Sequence, residues 1–355
     1  MKRKNKLNGW LLGPVVFLTI SSLILLGDIK SDSLKTQMVS VAVGFALFFL
    51  ISFLPEKLIR KMAPFFGGLA FILLLLPLFF GQKIRGVARW FSLGAFSFQP
   101  SEAVKPLAIL LVAFLPGFWL PLLVSILMAA LVFIQPDLGS SLTVLAGCLG
   151  TILVRPKSWR LLLAISLVGL LLFPLFWQIL APFQKERLVS FLNPQADPLG
   201  SNYQSLQALV AVGSGELLGR GLGLQIQSRL AFLPEYHNDL IFASLVESFG
   251  FVGGLLVLLS YGVLFWHLLD IAFAQTSFFK KGIVFGVFTL LFVQVTINIG
   301  MNLGLLPITG ITLPLLSYGG SSYVATMVSL GFCHLLWRET EDGGPKEALY
   351  ISGRE

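Results

Sequence analysis

Long apolar runs, repeated along the whole chain, constrain this fold more than any other feature of the sequence. Runs able to cross roughly 30 Å of hydrocarbon at about 1.5 Å per residue lie near residues 9–27, 37–54, 63–80, 101–115, 118–135, 139–154, 160–182, 239–269, 281–303 and 319–338. Because 56% of the residues are hydrophobic, a soluble domain could not bury them all. The sequence therefore predicts an all-α polytopic membrane protein with about ten transmembrane helices.

Basic residues lie mainly in short segments between these runs. An even number of helices places both termini on one side of the membrane, and the positive-inside rule assigns cationic segments to the cytoplasm. The cationic segments that fall on one face are residues 2–6, 57–61, 155–160 and 280–281. We therefore predict that both termini are cytoplasmic. The net charge of +8 then reflects orientation, and we expect no nucleic acid partner.

The segment from about 183 to 238, between the seventh and eighth helices, is too long to be a simple connector. The topology makes it a large extracytoplasmic loop. Apolar and polar residues interleave within it at helical spacing, which predicts a short amphipathic helix from about Tyr203 to Val212. We expect no separate soluble domain: residues 1–340 form one transmembrane helical domain, and residues 341–355 form a short cytoplasmic tail.

Two stretches are rich in glycine. GSGELLGRGLG, from Gly213 to Gly223, could bring backbone amides close to an anion or could form a flexible turn. The stretch from Ile297 to Ser322 combines glycines and prolines in a turn that resembles a re-entrant segment. Irregular backbone at membrane depth is tolerated where it lines a cavity or packs on protein. We therefore expect a cavity beneath this second stretch.

Ionisable side chains within apolar runs cost at least a few kcal/mol, so each requires a partner or a function. Glu102 and Lys105 are three residues apart, which places them on one helical face, close enough to pair. The pair is either structural or offers Lys105 to a substrate phosphate. Just upstream, Arg89 and Trp90 suit either an anchor at the membrane interface or a ligand contact.

Two further acidic residues have structural interpretations. Asp137 follows Pro136 and precedes an apolar run, so we predict that it is the N-cap of that helix. Glu247 lies within the eighth run, where we expect a buried hydrogen-bonding group that joins helices.

The cluster LPEYHNDLIFA, from Leu233, is the strongest candidate for a functional site. It places Glu235, His237 and Asp239 directly before a long apolar run. As the first residue of a helix, Asp239 could cap its amides. Beside apolar surface and cations, a carboxylate can also be a general base. A cap requires neither Glu235 nor His237, which favours a catalytic or substrate-binding Asp239.

Several motifs, taken together, make the chain similar to the RodA/FtsW family, also called the SEDS glycosyltransferases, and to its RodA branch above all. The motifs are ARW at Ala88, QPSE at Gln99 with Lys105, QPDLGSS from Gln135, NPQADPLGSNYQ from Asn193, GSGELLGRGLG from Gly213, LPEYHNDLIFA from Leu233, NIGM from Asn298 and PLLSYGGSS ending at Ser322. The chain departs from the family's usual residues at Ser97, Asn238 and Ser248, and around GDIKS at residues 27–31.

The resemblance implies a peptidoglycan polymerase of the bacterial cytoplasmic membrane that extends glycan strands from lipid II on its outer face. The family's essential Asp falls on Asp239, which would deprotonate the acceptor hydroxyl in an inverting transfer with undecaprenyl diphosphate as leaving group. The expected substrate-binding residues are Glu102, Lys105, Arg89, Trp90, Gln204, Ser317, His237 and Glu235, the last two as supports of Asp239.

The resemblance also implies partners and a cofactor. Cations must neutralise the departing diphosphate. Lys105 and Arg89 could do so, assisted by a divalent cation, Mg or Mn, whose protein ligands the resemblance does not assign. No organic cofactor is expected. The expected partners are a class B penicillin-binding protein, which is a transpeptidase, other membrane proteins of the elongation machinery, and membrane lipid. Two alternative functions stay open: a lipid II flippase, and a non-catalytic scaffold for the transpeptidase.

Overall fold

The computed structural model describes residues 7–80, 82–84, 87–93, 96–156, 158–171, 177–178, 180–192, 202–228 and 235–343. Helices α1 to α7 of the described chain are Gly9–Ile29, Ser31–Ser52, Glu56–Phe80, Pro100–Phe114, Trp119–Ile134, Leu138–Leu153 and Ser158–Leu171. Helices α8 to α12 are Pro182–Leu192, Tyr203–Ser214, Ile241–Ala274, Phe278–Asn302 and Gly320–Gly343.

The chain is a mostly helical membrane protein, and a helix lies on each of the predicted apolar runs. Among the described residues, five helices are both long and apolar enough to cross a membrane: α1, α2, α3, α10 and α11. Large side chains such as Trp10, Phe79 and Trp266 point outward with more than 70% of their surface exposed, at 72%, 76% and 79%. Such exposure suits side chains that face lipid, because hydrocarbon does not penalise apolar surface.

The prediction of an all-α fold is wrong between α3 and α4. Three antiparallel strands, β1 (Gln82–Ile84), β2 (Val87–Leu93) and β3 (Phe96–Phe98), form a small sheet in the order β1-β2-β3. Valine, isoleucine and aromatic residues make up six of the thirteen strand residues, and these residue types favour strands. The apolar residues of this stretch are interrupted too often by polar residues and glycine to continue the helix.

Two hydrophobic cores organise the helices. The larger unites α1 with α10, α11 and α12, and the second lies among α3, α4, α5 and α6. A small third cluster joins Ala208 of α9 to Leu240, Met301 and Ile308. This third cluster fixes the predicted amphipathic helix, confirmed as Tyr203–Ser214, against the beginning of α10.

Helix α10 is broken at Gly250, where φ is +67° and ψ is −166°. The break leaves carbonyls without helical partners, and the glycine-rich segment supplies them. The amide of Arg220 donates to the Glu247 carbonyl at 2.9 Å, and that of Gly221 donates to the Ser248 carbonyl at 3.0 Å. Backbone freed by a break in a membrane helix must be satisfied by protein in this way.

The same segment accepts hydrogen bonds from the far side of the break. The amide of Phe251 donates to the Glu216 carbonyl at 2.9 Å, and that of Val252 donates to the Leu217 carbonyl at 3.2 Å. The segment is therefore neither a flexible turn nor an open anion cradle, and the amides expected for an anion serve the helix instead. The hydrogen-bond partners of these amides lie far away in sequence, so the local sequence does not identify them.

Two acidic residues stabilise local structure. Asp137 caps α6, as predicted, because its Oδ1 accepts a hydrogen bond from the Ser140 amide at 3.1 Å. Glu247 is fully buried, but it does not join two helices. Its carboxylate accepts hydrogen bonds from the amides of Gln227 at 2.8 Å and Ser228 at 3.1 Å, and from the Ser228 hydroxyl at 2.6 Å. It therefore ties α10 to the segment that follows the glycines.

Candidate functional site

Asp239 lies in a series of turns directly before α10 and is half-buried. The N-cap residue of α10 is Leu240, which makes no side-chain cap hydrogen bond. The interpretation of Asp239 as the first residue of the helix is therefore wrong, because the helix begins later than the apolar run does.

Two asparagines on α11 hold the main chain of Asp239. The side-chain amides of Asn298 and Asn302 donate to the Asp239 carbonyl at 2.9 Å and 3.0 Å. Asn298 also donates to the Ile311 carbonyl at 2.7 Å, and Asn302 Oδ1 accepts from the Ala243 amide at 2.9 Å. We did not assign roles to these asparagines from sequence. Their spacing of four residues on an apolar helix was the available indication, because such residues share a face.

The segment between α11 and α12 holds the two preceding residues. The Ser317 hydroxyl donates to the Asn238 carbonyl at 2.7 Å and accepts from the Leu313 amide at 2.8 Å. The amide of Tyr318 donates to the His237 carbonyl at 2.9 Å. Ser317, which we expected to bind substrate, is 4% exposed. In this structure its hydroxyl fixes the backbone beside Asp239.

The carboxylate of Asp239 faces the same segment. Gly310 has a φ of +78°, and a Cβ built there would lie 3.6 Å from Oδ2 of Asp239. A cavity of about 30 Å³ borders this segment at Pro307 and Thr309 and extends to Arg187. It has room for one or two water molecules. The cavity expected beneath this glycine- and proline-rich segment is therefore present but small. Asp239 is not among its lining residues.

His237 is paired with a lysine that the sequence analysis did not weigh. The Nζ atom of Lys30 lies 2.7 Å from Nε2 of His237. Burial lowers the pKa of His237 from 6.5 to about 4, the charge of Lys30 acts in the same direction, and Glu235 opposes both. A neutral ring can accept a hydrogen bond from the ammonium group. Lys30 belongs to the GDIKS stretch, where the chain departs from the family's usual sequence.

Glu235 supports the same turn from the other side. Its φ is +52°, and its Oε2 accepts a hydrogen bond from the Asn238 side-chain amide at 2.7 Å. The Glu235 side chain therefore contacts the residue before Asp239, and the His237 side chain contacts Lys30.

Glu102 and Lys105 form the predicted ion pair. The Lys105 Nζ atom lies 2.5 Å from Glu102 Oε1, and the two residues are 3% and 7% exposed, respectively. The charge of Lys105 is thereby offset by a carboxylate in a buried site. The neighbouring Gln99 donates from its side chain to Oδ2 of Asp137 at 3.0 Å, so the QPSE and QPDLG motifs meet.

One segment links this pair to the Asp239 turn. The amide of Gln99 donates to Ser321 Oγ at 3.0 Å, while Ser317 binds Asn238. Ser321 is four positions after Ser317, so their Cα atoms are at most about 15 Å apart. The structure therefore brings the motifs around Glu102 and Asp239 to the same end of the helical bundle.

Three expected site residues have less defined surroundings. Arg89 and Trp90 lie in β2. Trp90 is half-buried and pairs with Gln82 of β1. The side chain of Arg89 lies outside the described part of the structure. Gln204 is half-buried near the start of α9. Residues 193–201, 233–234 and 344–355 also lie outside the described residues; they carry most of the NPQADPLGSNYQ motif, the first residues of the LPEYHNDLIFA cluster and most of the expected tail.

A protein-only metal site is not present among the described residues, since no three His, Cys, Asp or Glu side chains there form a metal-binding group. Mg²⁺ is commonly held by one or two carboxylates together with substrate phosphates. A divalent cation at this site would therefore depend on ligands that the substrate brings.

The arrangement combines an aspartate whose main chain is held by hydrogen bonds with a lysine that contacts the same turn at His237. The carbonyls of three consecutive residues, His237 to Asp239, are all hydrogen-bonded to α11 or to the segment after it. Such preorganisation suits a group that must remove a proton from a bound substrate. Lys30 contacts His237, which lies two residues before Asp239. Its ammonium group suits an anionic group of the substrate.

Comparison with known proteins places the chain among membrane proteins of one family. The family FTSW_RODA_SPOVE, described as cell cycle protein, matches residues 7–341. Peptidoglycan glycosyltransferase MrdB of Escherichia coli K12 is 36% identical over 302 residues, which cover 82% of this chain and 82% of that protein. Stage V sporulation protein E of Bacillus subtilis is 36% identical over 314 residues, or 84% of each chain.

Two solved structures share the fold. One is a chain of a peptidoglycan synthase complex that coordinates polymerization and crosslinking. It superposes with a TM-score of 0.79 at 32% identity, covering 94% of this chain and 98% of that one. The rod shape determining protein RodA of Thermus thermophilus superposes with a TM-score of 0.71 at 31% identity, covering 95% and 98%.

Proposed function

The chain belongs to the FtsW/RodA/SpoVE family, and on this basis we propose that it is a peptidoglycan glycosyltransferase that extends glycan strands from lipid II. The curated relatives that carry this activity in their names match more than four fifths of the chain. The relation to RodA proteins suits a role in cell shape and elongation. The enzyme acts in the bacterial cytoplasmic membrane, with its active site on the extracytoplasmic side.

The observation that carries the catalytic assignment is the fixation of Asp239. Its carbonyl accepts from two buried asparagines, while its carboxylate is half-buried beside Gly310. In the proposed step, this carboxylate takes the proton of the acceptor 4-hydroxyl. The hydroxyl oxygen forms a bond to the donor anomeric carbon, and the bond from that carbon to undecaprenyl diphosphate breaks with inversion. The electron pair leaves with the diphosphate.

Lys30 is the cation best placed to stabilise the departing diphosphate. Lys105 has its charge offset by Glu102 at 2.5 Å, whereas the described contact of Lys30 is the neutral ring of His237. We therefore assign Glu102 and Lys105 a supporting role and give the substrate contact to Lys30. Arg89, Trp90 and Gln204 remain proposed substrate contacts, and Ser317 a proposed support of the Asp239 turn.

A divalent cation, Mg or Mn, is part of the proposal only as a companion of the substrate. The described residues offer no group of three metal-binding side chains, so the diphosphate oxygens would supply most of its ligands. When bound, such an ion would stabilise the charge of the leaving group. The base and Lys30 carry the proposed step without it.

The proposed partner is a class B penicillin-binding protein, whose transpeptidase activity crosslinks the new strand. The similarity to a chain of a peptidoglycan synthase complex supports this assembly. Other membrane proteins of the elongation machinery would join it, and lipid II reaches the site through the membrane.

The test is polymerisation of purified lipid II by the full chain, alone and with its transpeptidase partner, with glycan products separated by length. Glycan strands whose formation requires this chain support the proposal. A preparation that binds the partner but forms no glycan would instead indicate a scaffold. Transport of labelled lipid II across liposomes without any polymer would indicate a flippase.

A further inference from the structure

A second cavity lies at the opposite end of the bundle from Asp239. Its volume is about 610 Å³, which falls within the range of ligand pockets, about 300 to 1,000 Å³. It lies where three of the cationic segments meet: Arg60 at the start of α3, Arg155 after α6, and Ser277 to Phe279 at the start of α11. We propose that this cavity binds the phosphate headgroup of an anionic phospholipid from the membrane leaflet at the cationic end of the bundle.

The charge of the cavity favours an anion. Among its described lining residues are two arginines and no aspartate or glutamate. The Arg155 guanidinium donates to the carbonyls of Val112 at 3.0 Å and Leu115 at 2.6 Å, and to that of Gly117. These three carbonyls orient the guanidinium group beside the cavity.

Arg60 contributes the second positive charge. It is exposed, and its guanidinium carbon lies 5.3 Å from the centroid of the Phe279 ring. Stacking on an aromatic ring leaves the guanidinium N–H groups free to bind a phosphate in its own plane. Both guanidinium groups therefore line one cavity, where Arg60 can donate charge-assisted hydrogen bonds to an anion and Arg155 adds a second positive charge.

The walls and the rim suit a lipid better than a free anion. Apolar side chains line the cavity, and Phe114, Leu161 and Phe278 among them are exposed at 39%, 38% and 57%. In addition, α11 begins at the cavity with Ser277 as N-cap and without a side-chain cap bond. A phosphate beside the arginines and acyl chains on the exposed phenylalanines would satisfy both kinds of surface. Basic pockets between membrane helices bind anionic headgroups in this manner.

The experiment uses the full chain in nanodiscs of phosphatidylcholine with and without phosphatidylglycerol, with thermal unfolding and lipid retention in native mass spectrometry as readouts. We expect phosphatidylglycerol to raise the unfolding midpoint and to remain bound. Arg60→Gln should weaken lipid retention by about tenfold or more, because it removes a charge-assisted contact. Arg160→Gln is the matched control, since Arg160 also stacks at 5.3 Å on a ring, that of Trp159, but lies outside the cavity lining.

Ser277→Asp separates lipid binding from folding. Aspartate is a good N-cap and suits a helix N-terminus, so this variant should fold at least as well as the wild type. Its negative charge in the cavity should nevertheless abolish the response to phosphatidylglycerol. The proposal is overturned if phosphatidylcholine is retained equally well, if Arg60→Gln and Arg160→Gln lose the same amount, if Ser277→Asp responds like the wild type, or if inorganic phosphate alone gives the full thermal shift.

Discussion

The side-chain amide of Asn298 donates to the main-chain carbonyl of Asp239 at 2.9 Å. The same nitrogen donates to the Ile311 carbonyl at 2.7 Å, so one buried side chain joins α11, the turn before α10 and the segment that faces the Asp239 carboxylate. Movement of any of these three elements would displace the carboxylate. The position of the proposed base is therefore determined by a residue 59 positions away in sequence.

Removing the Asn298 side chain should reduce catalysis more than it reduces stability. Asn298→Ala removes the side-chain donor to the Ile311 carbonyl and one of the two asparagine donors to the Asp239 carbonyl, at a cost of about 1–3 kcal/mol in the free energy of unfolding. A carboxylate displaced by 1 Å can lower the rate by about 100-fold. We expect kcat for lipid II polymerisation to fall by about tenfold to 100-fold while the folded protein remains purifiable.

The control for Asn298 is Gln294→Ala, one turn earlier on the same buried face. Gln294 is 2% exposed, and the described part of the chain gives it no hydrogen bond to this site. It should retain near wild-type kcat. Equal kcat losses for both variants would mean that the bond to Asp239 has no particular role.

The break in α10 requires glycine. A Cβ at Gly250 would lie 2.3 Å from the Gly219 amide nitrogen and 2.4 Å from the Leu217 carbonyl oxygen, at a φ of +67°. Gly250→Ala should therefore lower the unfolding midpoint sharply, by an equivalent of about 3 kcal/mol or more. Gly262→Ala, on the same helix with no atom within 4 Å of the added carbon, should be neutral or stabilising by up to about 1 kcal/mol. Similar midpoints for the two variants would contradict this account of the break.

The apolar runs predicted the helices because burial in lipid imposes a length and a composition that the sequence carries locally. The contacts of the site are not local. Lys30 is 207 residues from His237, and Ser317 is 79 residues from Asn238. A single sequence shows that each residue is polar but not which partner it meets. The Glu102–Lys105 pair could be predicted because both residues share one helical face.

The glycine-rich segment illustrates the same limit. Its composition indicated that backbone amides could approach an anion closely, and in the structure these amides approach another part of the backbone instead. The partner is the broken backbone of α10 around Gly250, which lies some thirty positions further along the chain. An anion and two carbonyls without helical partners are bound by the same kind of local sequence, because both require small residues and accessible backbone amides.

The ion pair between Glu102 and Lys105 should show strong coupling. Removing one partner from a buried pair leaves an uncompensated charge and costs about 3–5 kcal/mol. We expect Glu102→Gln and Lys105→Met to lower the unfolding midpoint severely, and the double variant to regain most of the loss. The double variant should also polymerise lipid II measurably. If it is stable but inactive, Lys105 contacts substrate and its assignment as a support is wrong.

His237 should make stability depend on pH. Its pKa is about 4 in the folded protein and 6.5 ordinarily, so the unfolded chain binds the extra proton first as pH falls. The stabilisation is complete above about pH 6.5 and is lost progressively towards pH 4. The unfolding midpoint of the wild type should therefore fall more steeply between these values than that of His237→Gln. Parallel curves would show that His237 is not held neutral.

The polymerisation rate of Asp239→Asn with purified lipid II and the transpeptidase partner decides whether Asp239 is the base. The amide keeps the shape of the carboxylate but accepts no proton at neutral pH, and the Asn298 and Asn302 bonds to the main chain remain available. Asp270→Asn, at an exposed carboxylate near the C-terminal end of α10, is the matched control. We expect a loss of about 100-fold or more for Asp239→Asn with an unchanged unfolding midpoint, and wild-type rates for Asp270→Asn. A folded Asp239→Asn that polymerises at the wild-type rate would show that Asp239 is not the base.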